Sequence, residues 1–320
     1  MSFLRLFTFL SGLFFMTTAT AHAIEIYAHR GASSLLTEGT IPSYQAAILM
    51  GADSIDMDIA LTKDNIIVVN HDQRLSEELT RDANGKWLAK PGPFIRDITV
   101  KELQSYDVGS LNPSSKLFKK YTELQPLNNV PTPTLQEVIR MANRLSNNKI
   151  RFQIEIKTTP KDEPGFATPA EIVPPLLKVL REEKVLDRTE IHSFDWRNLM
   201  LIKELEPKAH LSFLTQQEVV YNNVNPLVGA RWTAGHNVED YDHSTPKMIA
   251  ALGGKVWCPI YTDLTPALVE EAHRHHLKVV PWTVDTVEDM RRMIAFGVDG
   301  IITNYPQTLI WVKAVNQAKL

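Results

Sequence analysis

A small set of side chains in this 320-residue sequence has the types and spacing from which an active site can be built. His29 and Arg30 directly follow the apolar run 24–28. Asp56 and Asp58 alternate with Ile55, Met57 and Ile59, so in a strand both point to one face. Glu155 and Lys157 repeat that two-residue spacing at the end of 150–157, His71 closes the run 66–71, and Trp282 lies late in 278–284. Histidines exchange protons near neutral pH, carboxylates hold cations, and Arg and Lys meet anions through charge-assisted hydrogen bonds. On inward strand positions such groups are costly to bury unless they are paired or used. The set therefore reads as one site for proton transfer and charge handling.

Positioning these residues requires a frame. Eight strand-like runs cover 24–28, 53–59, 150–157, 189–194, 210–214, 255–259, 278–284 and 299–303. Helical patterns lie between most of them, at 42–51, 134–145, 169–184, 195–206, 264–276, 286–296 and 306–318. Alternating strands and helices predict parallel pairing. Eight such units over roughly 300 residues predict an α/β fold of the (β/α)8 TIM-barrel type, in which chemistry sits at the C-terminal ends of the strands. No glycine-rich dinucleotide fingerprint or phosphate loop is present, which weakens an open nucleotide-binding sheet. The run 66–71 follows Lys63-Asp64-Asn65 and predicts a hairpin return. Residues 73–131 are polar and turn-rich, with Asn84-Gly85, Pro91-Gly92-Pro93 and Asn112-Pro113, and predict a small cap over the mouth after the second strand. Val100 to Tyr106 reads as helical within it, and 221–249 reads as irregular, with no role assigned to Trp232, His236 or Asn237.

The ordered motifs point to a known family. Ala28-His29-Arg30-Gly31-Ala32, Glu38-Gly39-Thr40, Asp56-Met57-Asp58, Thr62-Lys63-Asp64 and His71-Asp72 come first. Pro133-Thr134-Leu135, Glu155-Ile156-Lys157, Ser193-Phe194, Trp282-Thr283-Val284 and Gly297 through Asn304 follow. Together, from residue 25 to about 310, they resemble the glycerophosphodiester phosphodiesterase family, a (β/α)8 barrel with an insertion after its second strand. The resemblance implies His29 and His71 as the proton-transfer pair. It implies Asp56, Asp58 and Glu155 as ligands of one divalent ion, and three carboxylates without Cys or His favour Ca2+ or Mg2+. Arg30 and Lys157 would face the phosphate, Glu38 would orient a catalytic group or a glycerol hydroxyl, and Trp282 would pack on the glycerol or alcohol moiety or in the barrel core. The other eight histidines are read as structural. The sequence departs from the pattern at Asp56, commonly Glu, at Gly39, commonly Asn or His, and at Asn304, commonly Asp.

Composition bounds the rest. Apolar residues make up 44% and charged residues 22%, which excludes a disordered chain and a multi-span membrane protein. With 34 basic and 37 acidic residues the net charge is -3, so no global positive field recruits nucleic acid. Arg5, the uncharged run 6–16 and the small-residue end at Ala23 read as a secretory leader of residues 1–23. That predicts a periplasmic or secreted protein with no stable membrane span and one mature domain, 24–320. The single Cys258 excludes a disulfide framework and reads as a buried, inert thiol. The activity that the family resemblance implies is metal-dependent hydrolysis of glycerophosphodiesters such as glycerophosphocholine and glycerophosphoethanolamine to sn-glycerol 3-phosphate and an alcohol. The attacking group is water or the substrate's own glycerol hydroxyl. Two alternatives stand beside it. One is a phospholipase D-like enzyme on intact phospholipid, for which Trp87, Leu88, Pro93, Phe94 and Ile95 would form an apolar approach surface. The other is a glycerophosphodiester-binding protein without turnover.

Overall fold

The structure, a computed structural model, describes residues 24–317 apart from 162, 218–220 and 226–229. The leader read in residues 1–23 lies outside the described residues. Strand β1 (Glu25–His29), helix α1 (Ile41–Met50), β2 (Ser54–Leu61) and the short β3 (Ile67–Val69) come first. Helices α2 (Val100–Leu103) and α3 (Lys116–Lys120) lie in the long connection. Then follow α4 (Leu135–Ser146), β4 (Arg151–Ile156), α5 (Pro169–Glu182), β5 (Thr189–Ser193), α6 (Trp196–Leu205), β6 (His210–Thr215) and α7 (Thr245–Ala251). The chain ends with β7 (Val256–Pro259), α8 (Pro266–Arg274), β8 (Lys278–Val279), α9 (Val287–Phe296), β9 (Gly300–Thr303) and α10 (Pro306–Gln317).

The sheet runs β8-β7-β6-β5-β4-β2-β1-β9, with every neighbouring pair parallel. The ends meet where Asp299 N–H donates to Val279 O (2.9 Å), Ile302 N–H to Pro281 O (3.0 Å) and Val284 N–H to Ile302 O (3.0 Å). The eight parallel strands thus form the (β/α)8 barrel. Regular β8 is shorter than the run 278–284 because Pro281 has no N–H to give the ladder. The chain nevertheless stays beside β7, through Val280 N–H to Trp257 O (2.9 Å) and Trp282 N–H to Pro259 O (3.1 Å). The stretch read as irregular holds α7, which Ser244 caps through its hydroxyl and Pro246 opens.

Strand alternation sorts the side chains. Ile55, Met57 and Ile59 of β2, Phe152, Ile154 and Ile156 of β4, and Ile191 of β5 join the main core beneath the helices. The intervening Asp56, Asp58, Gln153, Glu155, Glu190 and His192 therefore point inward. Tyr27, Leu214, Val256, Cys258, Val280 and Ile302 fill the barrel interior, with Cys258 buried as expected. At the N-terminal end of the barrel, Glu25 pairs with Arg151 (2.7 Å) and Lys278 (2.6 Å), and Lys278 also approaches Glu190 (3.4 Å). Helix α4 shows how the outer layer is specified. Thr134 and Glu137 form a capping box, and Leu135, Val138, Ile139 and Ala142 bury one face.

The return strand β3 pairs antiparallel with β2, with Ile59 opposite Val69. After it, residues 73–131 fold around their own apolar cluster of Leu75, Ile95 and Leu103, packed on Ala60 and Val68. Arg81 holds this insertion together by pairing with Asp107 at 2.6 Å. The apolar residues considered as a lipid-facing surface are engaged within the protein. Leu88 and Ile95 belong to the cluster, Phe94 lies under the Arg74 guanidinium, and Trp87 lies under that of Arg81. Among the described residues, no helix is long and apolar enough to cross a membrane.

Candidate active site

The end of β1 is a tight turn that demands glycine directly after Arg30. Arg30 has φ 55° and Gly31 has φ 91°, two left-handed residues in succession. A Cβ on Gly31 would lie 2.5 Å from Ser43 Oγ and 2.8 Å from the Ser43 carbonyl carbon, so glycine is required. Strain of this kind persists where surrounding contacts over-determine it, as at functional sites. The turn leaves His29 and Arg30 at the C-terminal rim of the barrel.

Register brings the remaining strand residues alongside. Parallel pairing sets His29 opposite Asp56, Asp58 opposite Glu155, and Glu155 opposite His192. Asn70 N–H donates to Asp58 O at 3.0 Å and Val69 N–H to Pro133 O at 2.9 Å, which delivers His71 to the same rim from the hairpin. A pocket beside the insertion is lined by Arg30, Glu38, Tyr44, Asp58, His71 and Asp72. Gly39 sits at φ 69° in the adjoining loop, where an added Cβ would lie at an ordinary 3.7 Å from Val69 O. That left-handed geometry is one Gly and Asn both tolerate, which accounts for glycine at a position where the family pattern commonly carries Asn.

The charges interlock. Lys157 Nζ sits between Asp58 Oδ1 (3.0 Å) and Glu155 Oε1 (2.7 Å). Arg30 Nε is 3.1 Å from Asp58 Oδ2, and its Nη1 donates to Glu38 Oε1 at 2.9 Å. Asp56 lies 3.1 Å from His192 Nε2 and 3.9 Å from His29 Nε2. Burial alone would raise Asp58, but Lys157 and Arg30 outweigh it and hold this carboxyl well below the usual carboxylate range. Glu155 moves the other way: burial raises it, and the nearby Asp58 charge adds to that against the pull of Lys157. Burial opposes the charge on Lys157, yet the two carboxylates hold it protonated, with its pKa raised. Burial and the neighbouring Arg30 charge push the His29 imidazole below its ordinary value. Burial works against protonation of His192, but its contacts with Asp56 and Cys258 push it up to about 10.

The structure brings His29, His71, Arg30, Glu38, Asp56, Asp58, Glu155 and Lys157 to one rim. Among the described residues, no three acidic, His or Cys groups already converge as a metal cage, and each of the three carboxylates touches a protein cation instead. The donor set still suits a hard cation, since it is all oxygen. Asp56 Oδ1 and Asp58 Oδ2 are buried and accept no hydrogen bond, although His192 and Arg30 lie close by. Glu38 is engaged with Arg30. Trp282 packs on the interior cluster, meets Phe194 edge-on at 5.3 Å, and donates from Nε1 to Cys258 O at 3.0 Å. Phe194 in turn meets Tyr221, whose phenol is pushed up by burial and by the Glu155 charge.

Several neighbours had no role assigned from the sequence, Asp72 among them although it stands in the His71-Asp72 motif. Asp72 holds His71 Nδ1 at 2.8 Å. Tyr44 is fully buried beside the pocket, with a hydroxyl that makes no hydrogen bond. His192 was grouped with the structural histidines. Its inward parity next to Ser193-Phe194 was the available signal, and it is buried against Asp56 rather than on an outer face.

The sequence profile of the glycerophosphoryl diester phosphodiesterase family matches residues 29–308, from His29 onward. The chain belongs to this family. It is 32% identical over 285 residues to the glycerophosphodiester phosphodiesterase of Caldanaerobacter subterraneus subsp. tengcongensis, covering 89% of this chain and 96% of the relative. A crystal structure of a glycerophosphoryl diester phosphodiesterase homologue from Silicibacter pomeroyi superposes with a TM-score of 0.82 at 29% identity, covering 92% of this chain and 95% of that one. A phosphodiesterase from Oleispira antarctica, crystallised with the product sn-glycerol-3-phosphate, shares the fold at 20% identity and a TM-score of 0.65, over 90% of this chain and 96% of its own. Family membership makes the protein a phosphoric diester hydrolase, and the rim carrying His29 and His71 is its candidate active site.

Proposed function

We propose that this member of the family hydrolyses glycerophosphodiesters such as glycerophosphocholine and glycerophosphoethanolamine to sn-glycerol 3-phosphate and an alcohol. The observation that carries the reading is the placement of two histidines at one rim: His29 from a barrel strand, 3.9 Å from Asp56, and His71 from the hairpin, lining a pocket with Arg30 and Asp58. His29, neutral through burial beside Arg30, suits the acceptance of a proton from the attacking hydroxyl. His71, held against the Asp72 carboxylate, suits the return of a proton to the leaving alkoxide. Arg30 and Lys157 supply fixed positive charge for the phosphate, and Glu38 keeps the guanidinium oriented. The product carried by the Oleispira antarctica structure suits the same substrate class.

Asp56, Asp58 and Glu155 would hold one divalent ion, Ca2+ or Mg2+, which when bound supplies Lewis-acid polarisation of a phosphoryl oxygen. Trp282, beside Phe194, would border the glycerol or alcohol moiety. The leader composition of residues 1–23 supports export to the periplasm or medium, followed by a single mature unit from residue 24 with residues of about 73–131 as its cap. Purified protein is expected to release choline and sn-glycerol 3-phosphate from glycerophosphocholine with Ca2+ or Mg2+, and to stop on chelation. No product from any glycerophosphodiester with either ion would overturn the reading. N-terminal sequencing of exported protein is expected to begin at Ile24, and an intact leader would refute cleavage there.

A further inference from the structure

His29 has two ring nitrogens, and only one can serve the reaction. Its Nδ1 lies 2.7 Å from Asn304 Oδ1, while its Nε2 turns toward Asp56 and the rim. What fixes this is the orientation of the Asn304 amide. Asn304 follows β9 and is buried. Its Nδ2 donates to Asp285 Oδ2 at 2.8 Å, and its backbone N–H donates to Asp285 Oδ1 at 3.0 Å. A carboxylate at neutral pH only accepts, so Asp285 settles which end of the amide is nitrogen. The amide oxygen must therefore face His29. Ser33 Oγ stands 2.8 Å from that oxygen and 2.8 Å from the His29 carbonyl, which closes the arrangement around the imidazole.

We infer that Asn304, clamped by Asp285 and Ser33, is a positioning residue that locks His29 in the Nδ1–H tautomer. Nε2 is then left as the lone pair that takes the proton. This rests on the reading of His29 and His71 as the proton-transfer pair. An amide oxygen facing Nδ1 demands a proton there in either charge state, whereas Nε2 is free to gain or lose one. The family pattern commonly carries Asp at position 304. Here the amide needs a partner that accepts, and Asp285 is that partner, so the roles of acceptor and clamp are divided between two residues.

The test combines imidazole nitrogen NMR with steady-state kinetics on glycerophosphocholine. In the wild type the neutral His29 ring is expected to show protonated Nδ1 and unprotonated Nε2. Asn304→Ala should give a tautomer mixture and lower kcat by roughly 10- to 100-fold with little change in KM, less than the roughly 10²–10⁴-fold typical of losing the acid–base group itself, because His29 remains. Asn304→Asp alone sets two carboxylates against each other and should also lose kcat. The exchange Asn304→Asp with Asp285→Asn rebuilds a donor–acceptor pair and should restore both the Nδ1–H signature and turnover. Unchanged tautomer and kcat in Asn304→Ala would overturn the lock, as would failure of a folded double variant to recover the signature. His29→Ala separates the two levels. If it is inactive while Asn304→Ala behaves as wild type, the lock alone fails. If it is fully active, the reading of the histidine pair fails.

Discussion

Glu25→Gln would test how the end of the barrel opposite the active site contributes to stability. Glu25 receives Arg151 from β4 and Lys278 from β8, which ties three strands together at their N-terminal ends. Burial alone would raise this carboxyl, but the two cations hold it down to about 2, against an ordinary value of 4.5. At 1.36 kcal/mol per pH unit that gap sets a ceiling of ~3.4 kcal/mol on its contribution. The side chain is 27% exposed, so solvent screening reduces the expected figure to about 1–2 kcal/mol. A depressed folded pKa means that the contribution is complete above pH 4.5 and disappears as pH falls toward 2. Urea unfolding followed by tryptophan fluorescence should find the variant less stable by about 1–2 kcal/mol at pH 7. The two proteins should converge on acidification through that window, while kcat at pH 7 stays unchanged. A stability difference that is constant from pH 7 to pH 3, or absent at pH 7, would refute the argument.

Other perturbations read different parts of the molecule. His29→Ala and His71→Ala should each lower kcat on glycerophosphocholine by about 10²–10⁴-fold, measured by choline release, and a tenfold or smaller effect in either would remove that residue from the proton-transfer pair. Gly31→Ala should destabilise strongly, because its new methyl collides with Ser43, whereas Gly39→Asn should fold normally in the same left-handed conformation. Thermal melts that ranked these two in the opposite order would contradict the geometry of the β1 turn. Phe152→Ala, deep beneath the helices, should cost about 3–5 kcal/mol in urea unfolding, and a loss below 1 kcal/mol would mean that the site collapses around the cavity.

Much of this arrangement was legible from strand alternation. The parity of Asp56 against Ile55 and Met57, and of Glu155 against Ile154 and Ile156, put the carboxylates inside the barrel before any contact was known. Strand ends were less legible, because Pro281 breaks the ladder without breaking the extended path, a distinction made by the neighbouring strand's carbonyls. Helix α7 escaped notice because its apolar pattern is short, although Ser244 and Pro246 carried a start signal. The partners of the site were the least legible. Asp285 and Ser33 approach Asn304 from 19 and 271 residues away in sequence, and His192 meets Asp56 across two intervening strand pairings. Such contacts follow from closure and register of the barrel, which no local pattern encodes.

The two histidines have different origins in the chain. His29 takes its place when β1 pairs with β2 and β9, so it comes with the barrel. His71 lies outside the barrel's parallel strands, on a chain segment held by Val69 to Pro133 on one side and by Ile95 N–H to Gln73 O on the other. Its position is therefore inherited from the β2–β3 hairpin, which Asn70 N–H ties to Asp58 O of the barrel, and the insertion braces the chain just beyond it. On the proposed function, competence is in that sense conditional: a barrel that has closed without its hairpin return holds only one of the two proposed proton-transfer histidines. On the same proposal, sequence change in the hairpin return can shift His71 while leaving every parallel barrel strand untouched.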